Sequence, residues 1–329
     1  MTVPVTSATP LVSIVVVTYR HADYVDETLA SCVLQAQDYP NLEIIVADDG
    51  SPDDTQDRIR GWQARYPALI KPVLAPENRG LAANFTAAKN AATGEYIAWL
   101  GGDDVMLAGK IAAQVPVLNA HPEASGCFHD AEVFEWPSGK VLGAFSTLYG
   151  GKAFSVDAVD AVKMLDPRYQ MLPSTLLVRR AAMPEAFDAR LRFHNDYLFD
   201  FETIARGGPY VRMAGSYVRY RKHEGSIGRS ETTQRLMLEE NLMVMAILLA
   251  RYPRYAKAIR RRELYYLTVE ALKARQRGDR ARSAELRQLV AAKGARLRAT
   301  GMAMLAAPLA TLADPKNRAL ALKVRSMFG

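Results

Sequence analysis

Apolar and polar positions along this chain switch repeatedly between a strand period and a helix period. Leu11–Thr18 (Leu-Val-Ser-Ile-Val-Val-Val-Thr) is an almost unbroken β-branched run, the pattern of a strand covered on both faces. Asp23–Gln35 then spaces Val25, Leu29, Cys32 and Val33 as one face of a helix. The alternation continues with a strand at Leu42–Ala47, a helix at Asp53–Tyr66, a weaker strand at Lys71–Leu74, an Ala-rich helix at Gly80–Ala92 and a strand at Tyr96–Leu100. Strands alternating with helices predict an α/β domain with a mostly parallel sheet and helices on both faces. After Val105 the pattern loosens. It predicts a helix over Leu107–Asn119 despite Pro116, and antiparallel strands Gly126–Trp136 and Lys140–Tyr149 around the turn Pro137-Ser138-Gly139. A strand at Pro173–Arg179, a helix from His194 to Arg206 and a strand at Val211–Tyr220 follow. From Ser230 onward only helices are expected, with breaks near Pro253, Gly278, Gly294 and Pro315.

In sheets of this kind ligands bind beyond the carboxyl ends of the strands. The polar residues of the first half gather at those places: Thr18-Tyr19-Arg20, Asp48-Asp49, Glu77-Asn78-Arg79 and Asp103-Asp104. The last pair follows a buried strand and two glycines, in Gly94–Asp104 (Gly-Glu-Tyr-Ile-Ala-Trp-Leu-Gly-Gly-Asp-Asp). Two adjacent carboxylates repel each other and resist desolvation unless a divalent cation or sugar hydroxyls sit between them. Oxygen ligands of this kind suit Mg²⁺ and Mn²⁺. The plainer reading makes Asp103 a helix cap and leaves Asp104 solvated. For a nucleotide base, Tyr19 offers a ring to stack on and Asp49 an acceptor. Asn78 and Asn84 either touch a nucleotide or cap the loop and helix.

Composition narrows the classes. Of 329 residues 49% are hydrophobic, enough for a sizeable core and too many for a disordered chain. Two cysteines, Cys32 and Cys127, make neither a disulfide framework nor a thiolate metal site, as in a reducing cytosol. Met1–Pro10 lacks the basic and apolar regions of a secretory leader, and the longest apolar runs, Leu242–Ala250 and Gly301–Ala313, are too short to span a bilayer. A cytoplasmic protein is expected. The net charge of +7 is divided unevenly: Arg251–Gly329 holds 19 Lys/Arg against 5 Asp/Glu, a surplus of 14, which leaves −7 on the first 250 residues. A basic tail on an acidic body points to an anionic surface, lipid or nucleic acid. The alternative is a helical appendage whose arginines are simply solvated.

Four stretches in order, Val12–Tyr19, Ile44–Thr55 (Ile-Ile-Val-Ala-Asp-Asp-Gly-Ser-Pro-Asp-Asp-Thr), Glu77–Asn84 (Glu-Asn-Arg-Gly-Leu-Ala-Ala-Asn) and Gly94–Asp104, resemble a family 2 glycosyltransferase with the GT-A fold over roughly residues 10–225. The resemblance implies a Rossmann-like GT-A domain over 1–228, its nucleotide-binding half at about 10–105 and its acceptor half at about 106–228, followed by a basic α-helical region over 229–329. It puts Thr18, Tyr19 and Asp49 at the nucleotide base, with Asp48 holding the strand-end turn; Asn78 is the further candidate for a nucleotide contact. Asp103 would face the ribose and Asp104 a Mn²⁺ or Mg²⁺ ion bridging the diphosphate. The commonest form of that motif has another Asp where Gly101 stands, a departure that weakens the case for metal use. An acidic pair at a helix start maps onto Asn195-Asp196, which makes Asp196 the expected general base, with Asp200 in reserve one turn on. Arg221 would meet the diphosphate and His223 would complete the metal shell. His21, His121, His129 and His194 show no ligand spacing, although His129-Asp130 could line an acceptor cleft.

The expected activity is an inverting transfer of a hexosyl or N-acetylhexosaminyl group from a nucleotide diphosphate donor, UDP-linked by preference, to a hydroxyl of a glycan or lipid-linked acceptor. Bacterial-type surface polysaccharide or lipopolysaccharide synthesis would suit it, with the protein peripheral on an anionic inner membrane face. A nucleotidyltransferase that makes nucleotide-sugars would carry a Gly-rich basic loop after the first strand, and Tyr19–Asp23 is not one. A nucleic-acid-binding protein would need base-stacking modules, and the acidic first 250 residues oppose it; no nucleic-acid partner is expected.

Overall fold

A computed structural model describes residues 9–149, 151–223 and 231–299. The expected run Gly301–Ala313 and the break at Pro315 lie outside them. The chain divides into two units: Met1–Thr147, Ala153–Asp160 and Met171–Glu224 form the first, and Leu148–Lys152, Ala161–Gln170 and Gly225–Gly329 the second.

The first unit opens as its hydrophobic pattern dictates. Strands β1 (Val12–Thr18), β2 (Leu42–Asp48), β3 (Ile70–Leu74) and β4 (Tyr96–Gly101) alternate with helices α1 (Val25–Asp38), α2 (Thr55–Arg65) and α3 (Leu81–Ala91). Every residue of β1 and β2 is buried, as the unbroken apolar runs require. The later elements are β5 (Val105–Met106), α4 (Lys110–Ala120), β6 (Gly126–Glu135), β7 (Val141–Ala144), α5 (Phe145–Tyr149), β8 (Ala158–Val159), α6 (Ala161–Met164, in the second unit), β9 (Leu177–Arg179), α7 (Asn195–Gly207) and β10 (Tyr210–Lys222). One sheet runs in the order β3-β2-β1-β4-β9-β6-β10-β5, with β7 on β6 and β8 on β10.

The sense of each strand decides where the site lies. β3, β2, β1 and β4 are mutually parallel. β9 is antiparallel both to β4 and to β6, and β6 is parallel to β10. Two reversals restore direction, so β6 and β10 point the same way as β1, β2 and β4. Thr18, Asp48, Gly101, Trp136 and the Arg221–His223 segment therefore all emerge at one sheet edge. The parallel half matches the sequence expectation, whereas the later strands add antiparallel pairings.

Three predicted elements differ in detail. Pro173 lacks an N–H and fixes its own φ, so Pro173–Thr175 forms a 3-10 turn ahead of a short β9. The predicted strand Lys140–Tyr149 stops at Ala144, because Asp130 on β6 accepts the Ser146 N–H at 3.0 Å and starts helix α5. Gly294 does not break its helix.

In the second unit, α8 (Glu231–Arg251), α9 (Ala256–Gln276) and α10 (Arg280–Ala299) follow one another, with turns at Pro253–Tyr255 and at Gly278, whose φ is +84°. Leu267 and Ala271 of α9 and Leu286 of α10 form a small core, with Leu242 of α8 and Val290 of α10 against it. Among the described residues no helix is long and apolar enough to cross a membrane.

Candidate active site

At the end of β2, Asp48 is fully buried and every lone-pair direction is used. It accepts from Thr18 Oγ1 (2.8 Å), from the Ser51 amide (2.8 Å) and hydroxyl (2.5 Å), and from Gln56 Nε2 (2.8 Å). This network holds the turn that the sequence assigned to Asp48. Asp49 reaches the other way. Its two oxygens accept the amides of Arg79 and Gly80, each at 2.9 Å, and so clamp the Glu77–Gly80 loop over the strand end. Each oxygen keeps a second lone pair. The clamp demands glycine at position 50. Its φ is +67°, and a Cβ there would stand 2.3 Å from the Glu77 carbonyl carbon. Tyr19 is 36% exposed, with the Arg20 guanidinium 5.3 Å from its ring centre, and Asn78 is exposed on the clamped loop. Asn84 is buried and its amide donates to the Thr18 and Ala47 carbonyls, both at 3.3 Å, a tie between β1 and β2 that neither alternative foresaw.

Beyond β4 the two adjacent carboxylates diverge. Asp104 turns inward: Ser174 Oγ donates to one oxygen at 2.6 Å and the Arg221 backbone N–H to the other at 3.0 Å. Burial, and then the charge of Asp103, push its pKa well above the carboxylate range. Asp103 turns outward, 3.0 Å from His223 Nε2. Burial opposes its ionisation, but His223 and His21 outweigh that and hold its pKa low. The orientation is the reverse of that expected for a cation on Asp104. Arg221 also differs from expectation. In place of a free diphosphate contact, its guanidinium donates to the Asp103 carbonyl (2.6 Å) and pairs with Glu27 (2.6 Å), and the residue is 2% exposed. It braces the turn that aims Asp103.

Sequence reasoning missed several neighbours. The Tyr24 ring lies tilted at 4.7 Å from His223, meets Trp136 edge-on at 5.2 Å and lies 5.9 Å from His21. His21 lies against Gly102, where a Cβ would come within 2.7 Å of its Nδ1 and 2.4 Å of the Thr18 methyl. Among the described residues that buried Nδ1 has no hydrogen-bond partner, and burial lowers the His21 pKa. Spacing could not reveal His21, because Asp103 and His223 reach it only through the sheet. His129, by contrast, is fully buried, its pKa is pushed down to about 3 by burial, and it does not line a cleft.

Asp196 begins α7. The far end of that helix, at Gly207, lies close against Ser125, which precedes β6, and Phe199 lies 6.3 Å from Trp99 of β4. The helix thus runs counter to β4 and β6, and its first turn is directed to the edge that carries Asp103. Burial raises the Asp196 pKa against the opposing pull of His194. One turn on, Asp200 accepts the Tyr210 hydroxyl at 3.0 Å, and burial together with Asp196 pushes its pKa up to about 8.

Comparison with known proteins agrees with this architecture. Residues 13–155 match the family described as Glycosyl transferase family 2. An uncharacterized protein of Mycobacterium tuberculosis strain H37Rv is 32% identical over 224 residues, covering 68% of this chain and 62% of the relative. An uncharacterized glycosyltransferase of a Nostoc species is 29% identical over 217 residues, 62% of this chain and 65% of the relative. The chain thus spans a little under two thirds of the length of these relatives. Among solved structures, Staphylococcus aureus TarS in complex with UDP superposes with a TM-score of 0.55 at 17% identity, covering 78% of this chain and 71% of TarS. The mannosyltransferase PcManGT of Pyrobaculum calidifontis, in complex with GDP-Man and Mn²⁺, gives 0.58 at 17% identity, over 98% of this chain and 88% of that one. The fold is GT-A. Over residues 13–155 the chain carries the sequence pattern of glycosyltransferase family 2.

Proposed function

We propose that this chain moves a sugar from a nucleotide diphosphate donor to a hydroxyl group, with inversion at the anomeric carbon. The observation that carries this reading is the shared sheet edge: Tyr19, Asp49 and Asn78 lie at one end of it, Asp103 and His223 in the middle, and the first turn of α7 with Asp196 is directed to it. The nucleotide stacks on Tyr19 and is capped by the loop that Asp49 clamps. UDP is the favoured donor nucleotide, because TarS was solved with UDP and a second TarS structure with UDP-GlcNAc. PcManGT, with GDP-Man, keeps guanosine donors in view.

A divalent cation fits the residues present. Asp103 and His223 supply one hard oxygen and one imidazole nitrogen, 3.0 Å apart, and no cluster of three or more protein ligands is preassembled among the described residues. A pair of this kind suits Mn²⁺ or Mg²⁺, which complete their shell with substrate phosphates and water. When bound, the ion would neutralise negative charge on the leaving diphosphate. Asp103 and His223 would hold it, with Asp104 and Arg221 as positioning residues behind them. Asp196 accepts the proton of the acceptor hydroxyl as its oxygen bonds to the anomeric carbon. The electron pair of the breaking bond leaves on the diphosphate oxygen. A carboxylate whose pKa is raised by burial is a better base than a solvated one. One base and a direct displacement give inversion. A surface glycan, or a precursor of one carried on lipid, is the acceptor class proposed.

The test is a panel of UDP- and GDP-sugars with Mn²⁺ or Mg²⁺, read first as thermal stabilisation and then as nucleotide release. One donor is expected to raise the melting temperature, since a ligand that binds only the folded state stabilises it. If no nucleotide-sugar does so under either metal, the reading fails.

A further inference from the structure

Asp200 is an acid in an apolar place. It stands in the middle of α7 between Phe199 and Phe201, and all three are buried. One of its oxygens accepts the Tyr210 hydroxyl at 3.0 Å. A buried tyrosine hydroxyl needs an acceptor, but asparagine would provide one without placing an ionisable group in the core. One turn earlier on the same helical face stands Asp196, at the i, i+4 spacing that sets Cβ atoms about 6 Å apart. Among the described residues no arginine or lysine side chain pairs with either carboxyl group. Asp196 acts on Asp200, Tyr210 reaches Asp200 from β10, and His194 acts on Asp196 from just before the helix. In the turn Arg180–Ala182, against the far end of α7, Arg180 gives its Nε–H to the Gly94 carbonyl at 2.7 Å instead.

Two neighbouring carboxyl groups in such a place resist carrying two charges, and their protons come off as those of a pair. The surroundings also choose between them. Asp196 is half-buried in the first turn, where backbone dipoles favour an anion, and it accepts the Tyr197 amide at 2.7 Å. Asp200 is deeper, in mid-helix, and its bond is to a neutral hydroxyl. We propose that Asp196 and Asp200 hold one proton between them at neutral pH and that Asp200 keeps it, as a positioning residue that leaves Asp196 the charged base of the transfer. When Asp196 takes the proton of the acceptor hydroxyl, the pair holds two protons and no charge until Asp196 returns one to water. The part played in transfer rests on the function proposed above; the shared proton does not.

Infrared spectroscopy of the full chain tests the shared proton without any substrate. Asp200→Asn is expected to remove one protonated-carboxyl band that the wild type shows at pH 7. In the wild type that band should fade with a midpoint at about 8. Asp196→Asn takes away the neighbouring charge and is expected to lower the midpoint by about one pH unit or more. Asp200→Ser, which keeps an acceptor for Tyr210, is the second variant if Asp200→Asn does not fold. A spectrum at pH 7 that loses no such band, or a midpoint that Asp196→Asn leaves in place, would overturn the proposal. With a donor from the panel above, wild-type nucleotide release is expected to fall about tenfold per pH unit above the midpoint, where a second charge forms beside an anionic donor. Asp200→Asn should abolish that break, and a break that stays would overturn the positioning role. If the panel yields no donor, that role falls with the transfer reading, and the infrared result decides the shared proton by itself.

Discussion

Lys110, at the start of α4, is fully buried, yet its ammonium has one weak hydrogen bond, to the Leu176 carbonyl at 3.5 Å. The ionisable groups that act on it are Cys32 and Cys127, and it acts in turn on His129. Burial pushes both thiols up to about 12 and holds His129 near 3, so all three are neutral at pH 7 and none supplies a counter-charge. Burial accordingly lowers the lysine pKa from 10.5 to about 8. At pH 7 the folded state must keep this ammonium charged in the core, at a cost of about 3 kcal/mol for a depression of that size. Met has a similar length and no charge. Lys110→Met is therefore expected to stabilise the protein by about 2 kcal/mol at pH 7, after losing about 1 kcal/mol for the Leu176 bond. The sign follows from proton binding. Between about pH 8 and 10.5 the unfolded chain holds the lysine proton and the folded one has released it, so wild-type stability gains as pH rises through that window. The advantage of the variant should shrink by about 2 kcal/mol between pH 7 and pH 10. Thermal unfolding of both proteins across that range is the assay, with a gain of about 4–8 °C expected at pH 7. A variant less stable than wild type at pH 7, or a difference that does not change with pH, would refute the reasoning.

Five further outcomes are expected. Asp196→Asn should abolish sugar transfer while nucleotide-sugar binding, read by thermal shift, persists; Asp103→Asn should weaken metal-dependent donor binding itself. Asp104→Asn should instead lower the melting temperature, because its buried oxygens hold Ser174 and the Arg221 amide. Gly50→Ala should destabilise by more than 1 kcal/mol in denaturant titration, as φ is +67° and the Glu77 backbone stands in the way. Glu43→Gln should remove an acid-side dependence of stability. Burial raises the Glu43 pKa, but Lys71, Ser13 and Thr93 more than offset that and bring it to about 2, so the stability that it contributes is lost as pH falls from about 4.5 to about 2.

The parallel half of the fold was legible in the sequence because strands buried on both faces need continuous apolar runs, and β1, β2 and β4 have them. The edge that gathers the candidate site residues was legible for the same reason: polar residues that end such runs must sit at strand ends. Asp49, Asp103 and the first turn of α7 followed from that rule together with the family likeness. Tertiary structure decided what adjacency in sequence cannot express. Asp103 and Asp104 are neighbours with the same chemistry, yet one faces His223 and the other is buried under Ser174. That choice is made by a 3-10 turn some 70 residues later in the chain and by the amide of a residue on β10. His21 and Tyr24 reach His223, and Trp136 reaches Tyr24, only because two antiparallel pairings through β9 restore the strand direction and bring β6 and β10 to the same edge. A side chain's chemistry is written locally, but the direction in which it points depends on partners that only the folded sheet supplies.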